Sequence, residues 1–453
     1  MSVIDRSSQP GSGSLRDFAF PAVNRTRLAN GLDLRLVRMT RLPVVSVSLF
    51  MRAGEDALAL DRAGLAVLTA DALEGGTRKR SGSELAESLE NIGARLSASA
   101  GWEGTTVGIS CLADRLPEAF ALMTEAVRAP SFPDDEVQRA LDQQLATIRQ
   151  RRMDPGALAS DCARAAYFAP GVPYARAVDG TEESIEAMSR QTLAGYAEAN
   201  YRPLGGGLVV VGDVDGDEVS AMVQRHFGDW AGRPANVSEF EVHAAAPERR
   251  IILVHRPRAV QSEVRIGHVG TSRSTPDYYP LSVANMVLGG MFTSRLNLNL
   301  REEHGFTYGV RSRFTFRSKP GPFQIGMAVG NDVTAPAVRE AMGELGRMAD
   351  AGPTEDEVSS ACDYAAGVFG LQLETSGQVA TRVSQLQIYG LADDHYDRYR
   401  DDVRAVSAAA AGAAAATHMR PSEAQIVVVG DAEVVGRPLE ELGLGAVEVV
   451  GGG

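Results

Sequence analysis

Short stretches of this chain alternate hydrophobic and polar residues, and longer stretches repeat hydrophobic residues at helical spacing. Residues 44–51 alternate as a half-buried strand does, whereas residues 134–152 show the spacing of an amphipathic helix. Strand and helix patterns occur in runs and do not alternate strictly along the chain. This order predicts an α+β fold with mostly antiparallel sheets packed against helices, and it argues against a doubly wound parallel sheet.

One part of the pattern occurs twice. Residues 202–203 and 209–213 read Arg-Pro and Val-Val-Val-Gly-Asp, and residues 420–421 and 427–431 repeat both at an offset of 218 positions. This offset is far longer than the roughly 20–50 residues of a solenoid repeat. We therefore predict two homologous domains that arose by internal duplication.

The chain length fits two domains. Its 453 residues exceed the roughly 250–300 residues at which a single hydrophobic core stops growing. We expect a flexible N-terminus over residues 1–17, an N-terminal domain over 18–230 and a C-terminal domain over 249–453. Residues 231–248, which are rich in Ala, Pro, Asn and Glu, are the predicted linker. The nearly pure alanine stretch 408–416 predicts a surface helix, since alanine favours helix but offers little side chain for packing.

Composition and charge narrow the class of protein. A net charge of −13 argues against binding to nucleic acid or to an anionic membrane surface. Three cysteines are too few for a disulfide framework or a cysteine-based zinc site. The first fourteen residues lack the apolar core of a signal peptide, and no run reaches the ~18 apolar residues of a membrane span. We therefore expect a cytoplasmic protein with neither a nucleic-acid nor a membrane partner.

A block in the second half points to a known family. Residues 288–296 read Leu-Gly-Gly-Met-Phe-Thr-Ser-Arg-Leu, and residues 299–308 read Asn-Leu-Arg-Glu-Glu-His-Gly-Phe-Thr-Tyr. This block resembles the C-terminal half of insulinase/pitrilysin-type zinc peptidases, and the resemblance covers about residues 18–435. The short, processing-peptidase-like members have two homologous α+β domains, which face each other as a clamshell around a peptide-holding chamber. Gly289-Gly290 is expected to form a tight turn between helices or to line a peptide path.

The resemblance also implies where a zinc site belongs. Active members carry His-x-x-Glu-His on a helix of the first domain and a distant Glu as a further ligand. Two histidines four apart share one helix face, and the intervening Glu activates the zinc-bound water. The matching positions here are Val67, Ala70 and Asp71, and the distant Glu falls near Thr147. Both histidines and the base are absent, so we expect no metal site in this chain.

The positions of the histidines support this expectation independently of the alignment. The first half contains one histidine, His226, and the other six lie in the predicted linker or the second half, with no two at the spacing of helix ligands. Asp71 alone offers a hard cation one carboxylate, which does not make a zinc site. We therefore expect no cofactor in this chain and a zinc ion in a partner subunit.

Two residues of the family's second domain are retained. Active members complete the zinc site with an Arg and a Tyr from the opposing domain, and the matching residues are Arg301 and Tyr308. Arg301 is expected at a helix end terminated by Gly305, and Tyr308 on a strand over 306–316, facing the same side as Val310. An Arg fork can hold a substrate carbonyl, and a Tyr hydroxyl can donate to an oxyanion. Alternatively, Arg301 pairs with a nearby carboxylate and Tyr308 is half-buried packing.

These features lead to one functional hypothesis and one alternative. Some family members occur as pairs in which one subunit carries zinc and the other lacks it. Loss of the metal motif with retention of Arg301 and Tyr308 predicts the non-catalytic, zinc-free subunit of a heteromeric peptidase, which binds a homologous zinc-bearing partner and a peptide substrate. The alternative is a scaffolding homologue with no role in proteolysis, which has no chemical reason to keep the Arg/Tyr pair. New chemistry is disfavoured because no nucleophile–base constellation is visible.

Overall fold

The computed structural model describes residues 18–231 and 239–451. The predicted flexible N-terminus, residues 1–17, and positions 232–238 of the predicted linker lie outside the described residues. Within the described part, twelve strands form two six-stranded sheets. The strands are β1 (Val23–Arg27), β2 (Asp33–Arg38), β3 (Val44–Met51), β4 (Arg95–Ala100), β5 (Thr105–Leu112), β6 (Gly207–Gly212), β7 (Ile251–His255), β8 (Gln261–Val269), β9 (Val310–Phe314), β10 (Pro322–Gly330), β11 (Gln425–Gly430) and β12 (Val447–Gly451).

Helices flank both sheets. The α-helices of the described residues are α1 (Leu65–Asp71), α2 (Gly82–Asn91), α3 (Leu116–Arg128), α4 (Asp134–Met153), α5 (Pro155–Tyr167), α6 (Glu182–Glu186), α7 (Arg190–Asn200), α8 (Gly216–Phe227), α9 (Tyr278–Asn285), α10 (Thr334–Ala351), α11 (Glu355–Leu371), α12 (Ser376–Ile388), α13 (Tyr399–Arg404), α14 (Ala408–His418) and α15 (Ala432–Glu440). Two further segments, Met286–Gly290 and Asn297–Glu303, are π-helical. Both overlap the block that carries the family resemblance.

The strand orders of the two sheets show the duplication directly. The first sheet runs β1-β2-β6-β3-β5-β4, and the second runs β12-β7-β11-β8-β10-β9. Five strands correspond in order, whereas the sixth comes from the N-terminal side in one sheet (β1) and from the C-terminal side in the other (β12). Most neighbouring strands are antiparallel, while β2–β6, β7–β11 and β7–β12 are parallel. The predicted α+β class, the duplication and the mostly antiparallel sheets are confirmed.

The repeated valine segments form the middle of the two sheets. β6 and β11 are buried along their whole length, because each has strands on both sides and packed layers on both faces. Side chains alternate between the two faces of a strand. Leu208 and Val210 accordingly join the core under the first half's own helices, whereas Val209 and Val211 pack against residues of the second half. The valine run is therefore the sequence of a strand buried on both faces.

The two halves exchange one helix each. α5 of the first half packs on β8 and β11 of the second sheet, and α12 of the second half packs on β3 and β6 of the first sheet. Gly267 on β8 leaves the room that Tyr167 of α5 needs, since a Cβ there would lie 2.8 Å from the tyrosine ring. Asp154 and Thr375 cap these helices by accepting a backbone N–H of the first turn. Each sheet therefore lies between helices of its own half and one helix of the other half.

The described part of the predicted linker packs against the first half. Phe240 contacts Tyr174 edge to face, with ring centroids 5.3 Å apart. The N–H of Ala169 donates to the carbonyl of His243 at 2.9 Å, just after the end of α5. The chain thus enters its second half next to α5, the helix of the first half that packs on the second sheet.

Candidate functional site

Helix α1 carries the positions that match the zinc motif, and a buried carboxylate fixes where this helix begins. Glu55 is fully buried and accepts hydrogen bonds from the backbone N–H groups of Gly64 (3.0 Å) and Ala66 (2.7 Å). Arg176 forms an ion pair with the same carboxylate at 2.9 Å. Burial raises the pKa of Glu55, and Arg176 and the backbone donors oppose that shift. Sequence analysis missed this pair, because its members lie 121 residues apart and neither belongs to the recognised motifs.

Three of the four positions that match the zinc motif and its distant ligand line one cavity. Val67, Asp71 and Thr147 lie in the wall of a cavity of about 430 Å³, to which α1 and α4 both contribute. Ala70 is fully buried and does not line this cavity. The fold thus brings Thr147 of α4 beside α1, although the two segments are distant in the sequence.

The chemistry of this cavity does not fit a zinc ion. Of its four carboxylates, Glu136 and Asp179 form ion pairs with arginines. Asp71 and Glu74 have no ion pair within the described chain. Zinc sites in proteins are four-coordinate and built mostly from imidazole and thiolate ligands, which this cavity lacks. Across residues 18–231 and 239–451, no group of three or more His, Cys, Asp or Glu side chains is arranged to hold a metal ion.

The two carboxylates without an ion pair are easier to protonate than ordinary surface acids. Partial burial, followed by the charges of Asp179 and Glu74, raises the pKa of Asp71 to about 6. Burial also raises the pKa of Glu74. At the positions that match the zinc motif of active family members, this chain therefore holds Asp71, which takes up a proton under mildly acidic conditions, beside Glu74, whose pKa is also raised by burial.

Arg301 lies near the end of the π-helical segment Asn297–Glu303, and the left-handed Gly305 (φ 64°) follows that segment. The guanidinium carbon of Arg301 lies 4.5 Å from the ring centroid of Phe292, which is a cation–π contact. Its Nε lies 3.6 Å from a carboxylate oxygen of Glu302, in an exposed contact of the kind that contributes little stability. The Arg301 side chain keeps 34% of its surface exposed, and Phe292 keeps 67%.

Tyr308 does not lie on a strand, which corrects the sequence-based expectation. We predicted a strand over 306–316 with Tyr308 facing the same side as Val310. β9 begins only at Val310, which is fully buried, whereas Tyr308 is 96% exposed in the preceding loop. The same exposure also rules out half-buried packing, the alternative interpretation of this residue.

Two polar side chains hold the loop that carries Tyr308. The Thr307 hydroxyl donates to the carbonyl of Ala328 on β10 at 2.8 Å, which ties the loop to the sheet before β9 begins. Asn297 binds both backbone groups of Val310, accepting from its N–H at 3.3 Å and donating to its carbonyl at 2.9 Å. The backbone is therefore held on both sides of Tyr308. No hydrogen bond to the Tyr308 hydroxyl is present in the described part of the chain.

The glycine pair of the same block has a packing role. Gly289 is buried, and a Cβ at this position would lie 2.6 Å from the backbone nitrogen of Ser312 on β9. Only glycine therefore lets the π-helical segment approach the strand this closely. Asn285 fastens the same contact, since its side-chain carbonyl accepts from the Ser312 hydroxyl at 2.9 Å. Gly289 thus joins helix to strand, and Gly290 next to it is exposed.

The structure does not bring the two parts of the predicted site into one cavity. Neither Arg301 nor Tyr308 lines the cavity beside Asp71. Arg301 lies in the π-helical segment Asn297–Glu303, and Tyr308 lies in the loop before β9, both in the second half of the chain.

Family models match both halves of the chain. The model described as Insulinase (Peptidase family M16) matches residues 37–169, and the model described as Peptidase M16 inactive domain matches residues 187–364. The chain belongs to the M16, or insulinase, peptidase family. The first matched segment of this M16 chain contains the altered zinc motif, and the second contains Arg301 and Tyr308.

Similar proteins match the M16 chain over different lengths. An uncharacterized zinc protease of Mycobacterium leprae is 27% identical over 402 residues, which cover 87% of this chain and 88% of that protein. Human mitochondrial cytochrome b-c1 complex subunit 1 is 29% identical over 217 residues, which cover 47% of this chain and 44% of that protein.

Solved structures of two bacterial proteins share the fold of this chain over most of its length. The M16 inactive domain structure from Pseudomonas fluorescens superimposes with a TM-score of 0.85 at 25% identity, covering 90% of this chain and 98% of that one. A protease from Helicobacter pylori shares the fold, with a TM-score of 0.82 at 17% identity and coverage of 90% and 99%. Together with the cytochrome b-c1 subunit, the inactive-domain matches fit a non-catalytic, peptidase-like M16 protein. Within the described residues, every helix is too short or too polar to cross a membrane.

Proposed function

We propose that this M16 chain is the non-catalytic subunit of a heteromeric zinc peptidase. In this proposal, a homologous partner subunit holds the zinc ion and cleaves peptides. The present chain contributes Arg301 and Tyr308 to substrate binding and forms one wall of the peptide chamber. It supplies no zinc ligand set, because Val67, Ala70 and Asp71 occupy the positions of the motif.

The observation that carries the proposal is the exposure of Tyr308 on an anchored loop. The side chain is 96% exposed, while Thr307 and Asn297 hold the backbone on either side. A tyrosine packed for stability buries its ring, because burial of apolar area is its main contribution to the fold. Tyr308 contributes almost none of this area. Its position favours contact with a molecule outside the chain, to which its O–H can donate.

The surroundings of Arg301 support the same interpretation. The cation–π contact with Phe292 does not use the N–H donors of Arg301, and the Glu302 contact involves only Nε. The remaining donors are available to the carbonyl oxygens of an extended peptide. In a peptidase, such an arginine anchors substrate, and a nearby tyrosine hydroxyl stabilises the oxyanion that develops during cleavage.

Co-expression with a homologous subunit that carries His-x-x-Glu-His tests the proposal. We expect the pair to copurify as one species in size-exclusion chromatography with light scattering, to contain zinc and to cleave a fluorogenic peptide. The chain alone is expected to retain no stoichiometric zinc after mild chelator washing and to cleave nothing. Stoichiometric zinc or peptide hydrolysis by the chain alone contradicts the proposal, and so does a monomer that ignores every zinc-bearing homologue offered to it.

A scaffolding homologue is the second candidate function. It is favoured by the similarity to cytochrome b-c1 complex subunit 1, which is a subunit of that complex. A scaffold still assembles with partners, but the turnover of the assembly then does not depend on Arg301 or Tyr308. Replacement of both residues distinguishes the two functions, because lost turnover indicates substrate binding and unchanged turnover indicates a scaffold.

A further inference from the structure

The second sheet has an open depression beside the loop of Tyr308. Helix α5 covers this face of the sheet mainly over β8 and β11. Beyond the helix lies a surface depression of about 320 Å³, lined by residues of β8, β9 and β10. Ala328 lines this depression, and its carbonyl is the acceptor of the Thr307 hydroxyl. The depression therefore begins where the Tyr308 loop is fastened to the sheet.

The strand register places arginines on both sides of a glycine. Gly326 on β10 is the direct neighbour of Arg311 on β9 and of Arg265 on β8. Arg313 lies on the same face as Arg311, because side chains two positions apart on a strand share a face. Gly326 has no side chain, and the Arg265 side chain lies over it, with its Cδ 3.6 Å from where a Cβ of residue 326 would stand.

Two of these arginines have no partner inside the chain. Arg265 is engaged, with its guanidinium 2.9 Å from the Glu263 carboxylate and 3.0 Å from the carbonyl of Gly156. Arg311 and Arg313 are exposed, and neither forms an ion pair or side-chain hydrogen bond within residues 18–231 and 239–451. The depression therefore carries two uncompensated positive charges, although the whole chain has a net charge of −13.

The geometry favours a ligand that lies on the face of the sheet. β9 is an edge strand, but the side chains of Asn285 and Asn297 bind the backbone along its outer edge. An added strand would have to displace these asparagines, whereas Arg311 and Arg313 are exposed on the face of the sheet. Arg311 and Arg313 are about 7 Å apart along the strand, which matches the spacing of alternate side chains in an extended peptide.

We propose that this depression binds an acidic, extended peptide segment, with carboxylates at alternate positions paired to Arg311 and Arg313. An arginine guanidinium can donate two parallel N–H hydrogen bonds to one carboxylate. Each pairing therefore fixes the orientation of the carboxylate in addition to attracting its charge. The inference rests on the proposed function only where it calls this peptide a substrate, because Thr307, next to Tyr308, is hydrogen-bonded to Ala328 in the lining of the depression. Binding itself requires no partner subunit.

Fluorescence anisotropy on the full chain tests this site. The probe is a fluorescein-labelled decapeptide in which glutamate alternates with threonine, and the reference peptide carries glutamine in place of glutamate. We expect the glutamate peptide to bind at least about tenfold more tightly than the glutamine peptide, and R311S/R313S to lose at least about tenfold in affinity. Binding should weaken as salt is raised, as it does for exposed charge pairs.

The matched control is the double variant R38S/R41S, which removes two exposed arginines elsewhere and gives the same net charge. It should bind the glutamate peptide within about twofold of the parent, since screening weakens charges beyond ~10 Å. Equal affinities for the two peptides overturn the proposal, as does an equal loss in both double variants. Equally effective displacement by inorganic phosphate or single-stranded DNA would show a general anion site and overturn it too.

This experiment separates the acidic-peptide site from the proposed subunit function. Because it uses the chain alone, a failed reconstitution with a zinc-bearing partner leaves the anisotropy result standing. Conversely, loss of the acidic-peptide preference leaves the contribution of Tyr308 to turnover in the reconstituted complex to be measured independently.

Discussion

At the scale of the residue, the Tyr308 hydroxyl can be removed without disturbing the loop that carries it, because no hydrogen bond of the described chain involves that hydroxyl. Tyr308→Phe is therefore expected to leave assembly and thermal stability unchanged. It should lower kcat of the reconstituted peptidase by about 10²–10³, the usual loss for one oxyanion donor. Tyr364→Phe is the control, since Tyr364 is half exposed on α11. Turnover within about twofold of the parent for Tyr308→Phe assigns the residue no role in catalysis.

Arg301→Ala is expected to raise KM because it removes an anchor that holds the peptide backbone in the ground state, and to lower kcat because that anchor holds the transition state more tightly. Steady-state kinetics of the reconstituted complex measure the two effects separately. Arg437→Ala is a suitable control, since Arg437 is 86% exposed and pairs only with Glu441. An unchanged KM with lowered kcat would contradict the anchoring role.

Arg295 is in the same block but is no control for Arg301. Its Nε and Nη2 each lie 2.7 Å from the carboxylate of Glu357, and this pairing lowers the pKa of Glu357 to about 2. The pair fastens the block to α11. We expect Arg295→Ala to reduce the free energy of unfolding at neutral pH, with an effect that is full above about pH 4.5 and is lost as pH falls toward about 2, because Glu357 becomes protonated first in the unfolded and then in the folded chain. Urea unfolding should show a clearly larger loss at pH 7 than at pH 3.

Asp56 makes the chain less stable as pH rises, whereas the Glu357 carboxylate makes it more stable. Burial, reinforced by the charge of Glu103, raises the pKa of Asp56 to about 7, against ~3.9 for an unfolded aspartate. The folded state binds this proton more tightly, so the stabilisation is complete below about pH 4 and is lost as pH rises through 7. Asp56→Asn should therefore raise the free energy of unfolding at pH 8, on the order of 1–2 kcal/mol, and change it less at pH 5. An equal change at both pH values would contradict this assignment.

Sequence reasoning reached some residues of the site and not others, for physical reasons. The resemblance to insulinase-type peptidases places the distant ligand position near Thr147, and the fold does bring Thr147 into the same cavity wall as Asp71. Glu55 and Arg176 were missed because a buried ion pair between distant loops leaves no local pattern. The orientation of Tyr308 was predicted wrongly because the bond from Thr307 to β10 is a tertiary contact that interrupts the strand.

At the scale of the element, strongly periodic segments were predicted to within a residue or two. The strand predicted over 44–51 is Val44–Met51, and the helix predicted over 134–152 is Asp134–Met153. The alanine-rich helix shows the limit of such patterns. α14 is not simply a surface helix, because one of its faces, including Ala411 and Ala415, is fully buried. Small side chains allow close approach as well as exposure, and composition alone does not distinguish the two.

The exchanged helix α12 offers a test of what holds the elements together. Leu386 is fully buried in a cluster shared by α12 and the first sheet. Leu386→Ala is expected to reduce the free energy of unfolding by about 2–5 kcal/mol, the usual cost of a large-to-small change in a core. Leu371→Ala, at a 62% exposed position, is the matched control and should cost little. Similar losses for the two variants in urea unfolding would show that the α12 contact is not part of the stable core.

At the scale of the whole molecule, the exchange of α5 and α12 makes each half depend on the other. Without α12, the first sheet would expose Val209 and Val211, and without α5 the second would expose Val427 and Val429. Separating the halves therefore exposes apolar faces to water, at a cost of roughly 25 cal/mol for each Å². The peptide chamber of the proposed complex should accordingly open between this chain and its partner, and not between the two halves of the chain.

Fragment complementation examines this dependence directly. Residues 1–231 and 232–453 expressed separately should aggregate or melt without cooperativity, because each fragment presents one uncovered sheet face and one helix without its sheet. Co-expressed, they should form a soluble one-to-one complex with a cooperative thermal transition close to that of the intact chain, since every buried contact is restored. Leu386→Ala in the second fragment should weaken this complex, whereas Leu371→Ala should not. A first fragment that is monodisperse and melts cooperatively on its own would show that the halves are independent. The two halves of the chain could then move relative to each other as freely as two subunits could.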